Sequence, residues 1–252
     1  MRHRWPRWWD IAIAVVAATA LIVDGVRRGE ASIGAGDWLL AASLELALRA
    51  DAPGALPALV RTLRQLVEGE SRQIALRGKT DFTSDDALQI AHLKTGSLFA
   101  FCGEAGALVA RAPQEVVIAL RDFGMRAGSA FQIADDLLDF ESDAATLGKA
   151  VLADVTEGKP SLPLAIALKR LPPLREEMAG LLKLEPGTPE DEARARVRAF
   201  AGRLSRTGAL GAARRIAEKE RDAALAALER VPESATRDLL AQVARALLSR
   251  TH

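Results

Sequence analysis

Apolar residues recur along this chain at the 3.6-residue spacing of helices. Long period-two alternation is missing. Over 57–70, Leu59, Val60, Leu63, Leu66 and Val67 fall on one helical face. Gly, Pro and Asp-containing breakers cut the pattern into blocks. A first helix covers 11–23. A second covers 38–49 behind Asp37 as N-cap, and a third 57–70. Thr83-Ser84-Asp85 caps a helix that runs to about 109. Pro113 stands in the first turn of another, where a missing N–H costs little. Helices follow at 124–140 and 162–170, with a loop over 141–160 between them. After a turn at 186–189 come 190–206, 209–230 and 234–249. The Arg- and Glu-rich helices of this last third read as solvated outer helices. No repeat of fixed period appears, and no linker is long enough to force two domains. One all-α domain spanning 1–252 is expected.

Composition agrees with that pattern. Of 252 residues, 49% are hydrophobic but only 4% aromatic, with no Tyr, so Leu, Ala, Val and Ile must fill the core. These include the strongest helix formers. The net charge of +1, without a basic run interleaved with aromatics, excludes a nucleic-acid partner. The single cysteine, Cys102, rules out an internal disulfide and suits a reducing, cytoplasmic setting. Its apolar surroundings predict a buried, unreactive thiol.

The N-terminal segment admits two readings. Arg2, Arg4 and Arg7 precede an apolar run over 11–23, as in a signal or anchor segment. The run is shorter than the roughly 20 residues of a membrane span, which favours a buried helix and no stable span. Trp5, Trp8 and Trp9 suit a core edge or an interfacial position.

The segment Phe131-Gln-Ile-Ala-Asp-Asp-Leu-Leu-Asp-Phe140 carries the candidate chemistry. Gln132, Asp135, Asp136 and Asp139 fall at i, i+3, i+4 and i+7, on one stripe of a helix. Three neighbouring carboxylates repel one another unless a cation or water relieves them. Either the stripe is a solvated acidic face, or it is a site for a hard cation such as Mg²⁺ that keeps phosphate and water as further ligands. Downstream lie Gly148-Lys149, Asp154 and Gly158-Lys159. A lysine beside a glycine approaches a phosphate closely and acts on it as a point charge. Upstream, Lys94-Thr95 adds a cation and a hydroxyl in a largely apolar helix. Together they describe a metal-plus-cation cradle for a polyphosphate.

Leu93-Lys94-Thr95, then Phe131-Gln132-(x)2-Asp135-Asp136-(x)2-Asp139, then Gly148-Lys149 and Asp154-(x)2-Glu157-Gly158-Lys159-Pro160-Ser161-Leu162-Pro163, resemble in order and spacing the trans-type polyprenyl diphosphate synthases. Glu68-Gly69-Glu70-(x)2-Gln73 and Gly36-Asp37-Trp38-Leu39-Leu40 resemble further family segments. The likeness runs from about Gly36 to the C-terminus. It implies an antiparallel helical bundle of the isoprenoid synthase type around a central apolar cavity, N-terminally shortened here. It implies a prenyltransferase that condenses an allylic diphosphate with isopentenyl diphosphate by Mg²⁺-assisted ionisation. It further implies a homodimer, or a heteromer with another prenyl synthase subunit. On this likeness Asp135, Asp136 and Asp139 are metal ligands. Lys94, Lys149 and Lys159 contact the allylic diphosphate, and Gln132 and Thr95 orient groups near the reacting carbons. Arg27 and Arg28 bind substrate.

The chain departs from the family pattern at one end. The family carries two Asp-rich motifs; in the stretch 20–26 just before Arg27-Arg28-Gly29 this chain has only Asp24, and the family's upstream Gly-Lys-Arg has no counterpart. Two alternatives follow. One is a non-catalytic or degenerate subunit that partners a complete synthase. The other is a different carboxylate-metal bundle, such as a class I terpene cyclase or a di-iron protein. His3, His92 and His252 stand in no Glu-x-x-His pair, which argues against the di-iron case.

Overall fold

The computed structural model describes residues 30–49, 51–141, 153–184 and 188–248. Every element among them is helical. Helices α1 (Glu30–Arg49) and α2 (Ala55–Leu76) come first. Then α3 (Ser84–Ala91) continues through a π-helical segment, His92–Gly96, into α4 (Ser97–Val109). The long α5 (Gln114–Glu141) is followed by the single turn α6 (Ala153–Thr156) and by α7 (Leu162–Arg170) and α8 (Leu174–Leu182). The chain closes with α9 (Glu190–Arg206), α10 (Ala209–Leu228) and α11 (Ala235–Ala246). The expected helix at 11–23, with Asp24, Arg27 and Arg28, lies outside the described residues, as do Gly148 and Lys149.

Local chemistry accounts for several boundaries. Thr83 caps α3 reciprocally: its Oγ1 accepts from Asp86 N at 3.2 Å, and Asp86 Oδ2 accepts from Thr83 N at 2.8 Å. The hydroxyl and amide of Thr83 hold the Asp86 carboxyl below its ordinary value. Pro163 sits in the first turn of α7, whose bounds match the sequence reading. Three expectations change. Asp37 lies inside α1 rather than capping a helix, because helical backbone already begins at Glu30. The blocks after Pro113 and at 124–140 form one helix, since Gly124 and Gly128 are tolerated where they meet a neighbour. Helix α8 occupies the stretch after Pro172-Pro173, with Pro173 as its N-cap.

Helix α5 is the axis, with α4 on one flank and α10 on the other. The expectation of α10 as a solvated outer helix is wrong. Ala209, Ala213, Ala217 and Ala224 are wholly buried, and this small-residue face lets α10 lie close to α5. Beside that face, Arg214 and Glu220 of α10 pair with Glu141 and Arg126 of α5. The α4 flank is closer still. A Cβ built on Gly124 would fall 2.2 Å from Phe99 O, and one on Gly128 would fall 2.9 Å from Gly96 Cα. Below α5, Leu162, Leu164 and Leu168 of α7 pack with Leu174, Met178, Phe200 and Leu204 around Ile133 and Leu137. Each such side chain fully buried contributes about 1.5–3 kcal/mol. Cys102, expected to be buried, is exposed, because the apolar run of α4 extends past the face that α4 buries. No described helix is long and apolar enough to cross a membrane.

Candidate functional site

The π-helical segment creates one wall. Its widened turn closes with Ser97 N donating to His92 O, five residues back. Single π turns of this kind are frequent at functional sites. The extra residue rotates Lys94 and Thr95 relative to the α3 register. Thr95 Oγ1 then donates to Gln132 Oε1 on α5 at 2.7 Å. Lys94 Nζ donates to Gln73 Oε1 at 2.8 Å and pairs with Glu70, both on α2. Gly69 makes this approach possible, since a Cβ there would meet Lys94 Cγ at 2.8 Å.

A hydrogen-bonded chain runs from that wall along α5. Gln132 accepts from Thr95 and donates through Nε2 to Asp136 Oδ1 at 3.0 Å. Asp136 Oδ1 also accepts from Lys159 Nζ at 3.2 Å. Lys159 Nζ reaches Asp154 Oδ1 at 3.0 Å. Asp139 Oδ2 accepts from Asp154 N at 3.0 Å. Thus one network spans three separate stretches of sequence, and such networks hold their members in register.

The electrostatics follow from burial. Asp136 and Asp154 are 6% and 8% exposed. One ammonium between two buried carboxylates leaves one negative charge over. Burial pushes the Asp154 carboxyl up to about 7, with Lys159 pulling it back and Asp136 and Asp139 pushing it further up. Burial likewise raises Asp136, against the pull of Lys159 and Gln132. Burial alone would make Lys159 less basic; the two carboxylates outweigh it and raise its pKa. Asp154 Oδ2 and Ser161 Oγ are buried without a hydrogen-bond partner among the described residues.

The aspartate stripe is not a preformed cage. Among the described residues no three His, Cys, Asp or Glu side chains converge for a metal ion. Asp135 is exposed, and no ion pair or hydrogen bond ties its carboxylate to a described residue. Asp136 is tied to Lys159 and Asp139 to the Asp154 amide. This all-oxygen set, with one carboxylate open, fits Mg²⁺, which takes one or two protein carboxylates and completes its shell with water and substrate phosphate.

Of the residues read from the sequence, Lys94, Thr95, Gln132, Asp136, Asp139 and Lys159 are thus brought together, with Asp135 at the same stripe's exposed edge. Arg27, Arg28 and Lys149 lie outside the described residues. Sequence reasoning did not give Asp154 a site role, nor Glu70 and Gln73 theirs as partners of Lys94. Asp154 was visible as part of the motif between the two Gly-Lys pairs, but nothing local marks it as a buried acid. A surface hollow of about 280 Å³ lined by Arg170, Arg203, Arg206 and Thr207 lies at the far end of α7 from Lys159 and takes no part in this site.

Residues 18–198 match the polyprenyl synthetase family. The chain is 35% identical over 241 residues to the all-trans-nonaprenyl-diphosphate synthase (geranyl-diphosphate specific) of Rhodobacter capsulatus, covering 91% of this chain and 72% of that one. It is 28% identical over 220 residues to the octaprenyl diphosphate synthase of Escherichia coli, covering 87% and 67%. A polyprenyl synthase from Caulobacter crescentus CB15, crystallised with calcium and isoprenyl diphosphate, superposes with a TM-score of 0.82 at 32% identity, over 95% of this chain and 76% of that one. A decaprenyl diphosphate synthase from Rhodobacter capsulatus gives 0.84 at 26% identity, over 96% and 78%.

Proposed function

The chain belongs to the polyprenyl synthetase family, and from that premise we propose that it is a polyprenyl diphosphate synthase. It condenses an allylic diphosphate with isopentenyl diphosphate. The observation that carries the site reading is the continuous network Thr95–Gln132–Asp136–Lys159–Asp154, which ties Lys159 to the helix that carries the open Asp135 carboxylate.

In this reading Asp135 is the direct Mg²⁺ ligand, and Asp136 and Asp139 complete the cluster directly or through water. Bound Mg²⁺ supplies charge stabilisation to the departing diphosphate. Lys94, Lys149 and Lys159 hold the diphosphate oxygens. Their fixed charges favour the step in which the allylic C–O bond breaks and its electron pair leaves with diphosphate. The alkene of isopentenyl diphosphate then forms the new C–C bond, and the proton lost passes to the released diphosphate. Thr95 and Gln132, locked to each other, orient the groups near the reacting carbons. The packed helical walls keep water from the cation. Arg27 and Arg28 are assigned to substrate binding.

A homodimer follows as part of the proposal. Val60, Val67 and Ile74 lie seven residues apart on α2, and all three are exposed, with Trp38 and Leu48 exposed on α1. Apolar patches of this kind mark interaction surfaces. The presence of Asp24 alone where the family has several acids favours a second reading: a subunit that works only with a complete synthase. Isopentenyl incorporation with Mg²⁺, measured on the chain alone and mixed with a complete synthase, decides. Product from the chain alone supports the first reading. Product only in the mixture supports the second, and none in either rejects both.

A further inference from the structure

The turn after α2 grips the segment that carries Lys159. Arg77 Nε donates to Glu157 O at 2.9 Å, and Arg77 Nη2 lies 3.5 Å from Glu157 Oε2. Gly78 N donates to Gly158 O at 2.9 Å. Both glycines adopt left-handed backbone, φ +77° and +67°. A Cβ on Gly158 would fall 2.7 Å from Gly78 N, so the two backbones touch directly. The turn is itself tied down, since Arg175 of α8 donates to Thr80 O and Phe82 is buried in the core. On the other side, Lys159 N donates to Asp154 O at 2.8 Å, which makes 154–159 a tight loop whose tip the turn holds. Glu70 and Gln73 stand at i and i+3 on one face of α2, and Arg77 follows at i+7 as its C-cap. That face therefore references Lys94 at one point and the Lys159 loop at another.

We propose that Arg77 and Gly78 form a latch that positions Lys159, making them positioning residues for diphosphate binding. The inference rests on the reading of Lys159 as a diphosphate contact. The Arg77 side chain is 56% exposed. Surface pairs of this kind add little to global stability, so its removal acts on where the loop sits rather than on whether the chain folds.

The test is calorimetric titration of inorganic diphosphate, with Mg²⁺, into the full chain. The proteins are wild type, Arg77→Ala, Arg77→Lys, Lys159→Ala, the Arg77→Ala/Lys159→Ala double variant, and Arg64→Ala as an exposed control on α2. Arg77→Ala is expected to weaken diphosphate about three- to tenfold, the worth of a hydrogen bond. Its melting midpoint should stay within about 2 °C of wild type. Arg77→Lys should recover part of the loss. The double variant should bind no more weakly than Lys159→Ala, because a latch acting through Lys159 has nothing left to position. The latch is overturned if Arg77→Ala binds like Arg64→Ala while Lys159→Ala loses affinity, or if the two losses multiply independently. If Lys159→Ala binds as wild type does, or if wild type binds no diphosphate, the reading of Lys159 itself fails and the latch with it.

Discussion

Gly124→Ala separates packing from helix propensity, because the two give opposite signs. Alanine is the better helix former by up to about 1 kcal/mol, so propensity alone says the substitution stabilises α5. Geometry says otherwise. The new Cβ would lie 2.2 Å from Phe99 O, 2.5 Å from Phe99 C and 2.7 Å from Ala100 Cα. All three are backbone atoms of α4, which cannot swing away as a side-chain tip can. Ordinary contact needs about 3.5–4.0 Å, so α4 and α5 must separate by more than 1 Å along the face where they pack. Overpacking of a rigid core costs about 1–3 kcal/mol. With the propensity gain subtracted, a net loss of up to about 2 kcal/mol remains, or as much as roughly 8 °C in melting midpoint for a chain of this size. The same displacement moves the π-helical segment from α5 and lengthens the 2.7 Å Thr95–Gln132 bond, so diphosphate binding should weaken as well. Gly202→Ala is the internal control. It lies in α9 with nothing within 4 Å of the new Cβ, and should raise the midpoint. Thermal melts followed by circular dichroism read both. If Gly124→Ala melts at or above wild type, the close α4–α5 approach is not what sets that glycine.

Further outcomes are expected elsewhere. Asp154 has its carboxyl raised by burial from its ordinary value of 3.8 to about 7. The folded state therefore holds a proton that the unfolded chain releases, and this stabilisation is complete below about 4 and lost as pH rises through about 7. Melts from pH 4 to 8 should show wild type losing stability with rising pH in that window and Asp154→Asn showing a flatter profile; identical slopes would refute the buried acid. Thr83→Ala removes one half of the α3 capping box and should cost about 1 kcal/mol, read as a fall of a few degrees in the midpoint. Val67→Asp puts a charge in the middle of the exposed α2 stripe, and size-exclusion chromatography should show it shifting the proposed dimer toward monomer. Unchanged elution of a dimeric variant would move the interface elsewhere.

Much of this architecture was legible in the pattern because it is set locally. Thr83-Ser84-Asp85 and the 3.6-residue apolar spacing declare the start of α3 and the bounds of α7 without any knowledge of what they pack against. The acidic stripe was legible for the same reason, since i, i+3, i+4 and i+7 on a helix fix a face. What escaped depends on contacts distant in sequence. A π-helical turn at His92–Gly96 has no composition signal; it is visible only once Thr95 is seen reaching Gln132. The interior place of α10 escaped because its alanines are read as weakly apolar, while their small size is what admits them against α5. Asp154 escaped because burial, not residue type, makes it an unusual acid. Gly124 reads as a helix boundary in one dimension, while Gly96, Gly124 and Gly128 form a packing surface in three.

The most direct test of the metal-diphosphate site is the Mg²⁺ dependence of diphosphate binding in wild type and Asp135→Ala. Asp135 is exposed and outside the core, so its loss should leave helicity intact. Calorimetry should show tight diphosphate binding to wild type only when Mg²⁺ is present, and its loss in Asp135→Ala with an unchanged circular dichroism spectrum. Equal affinity in the two proteins, or binding indifferent to Mg²⁺, would contradict the assignment of the aspartate stripe to a magnesium–diphosphate site.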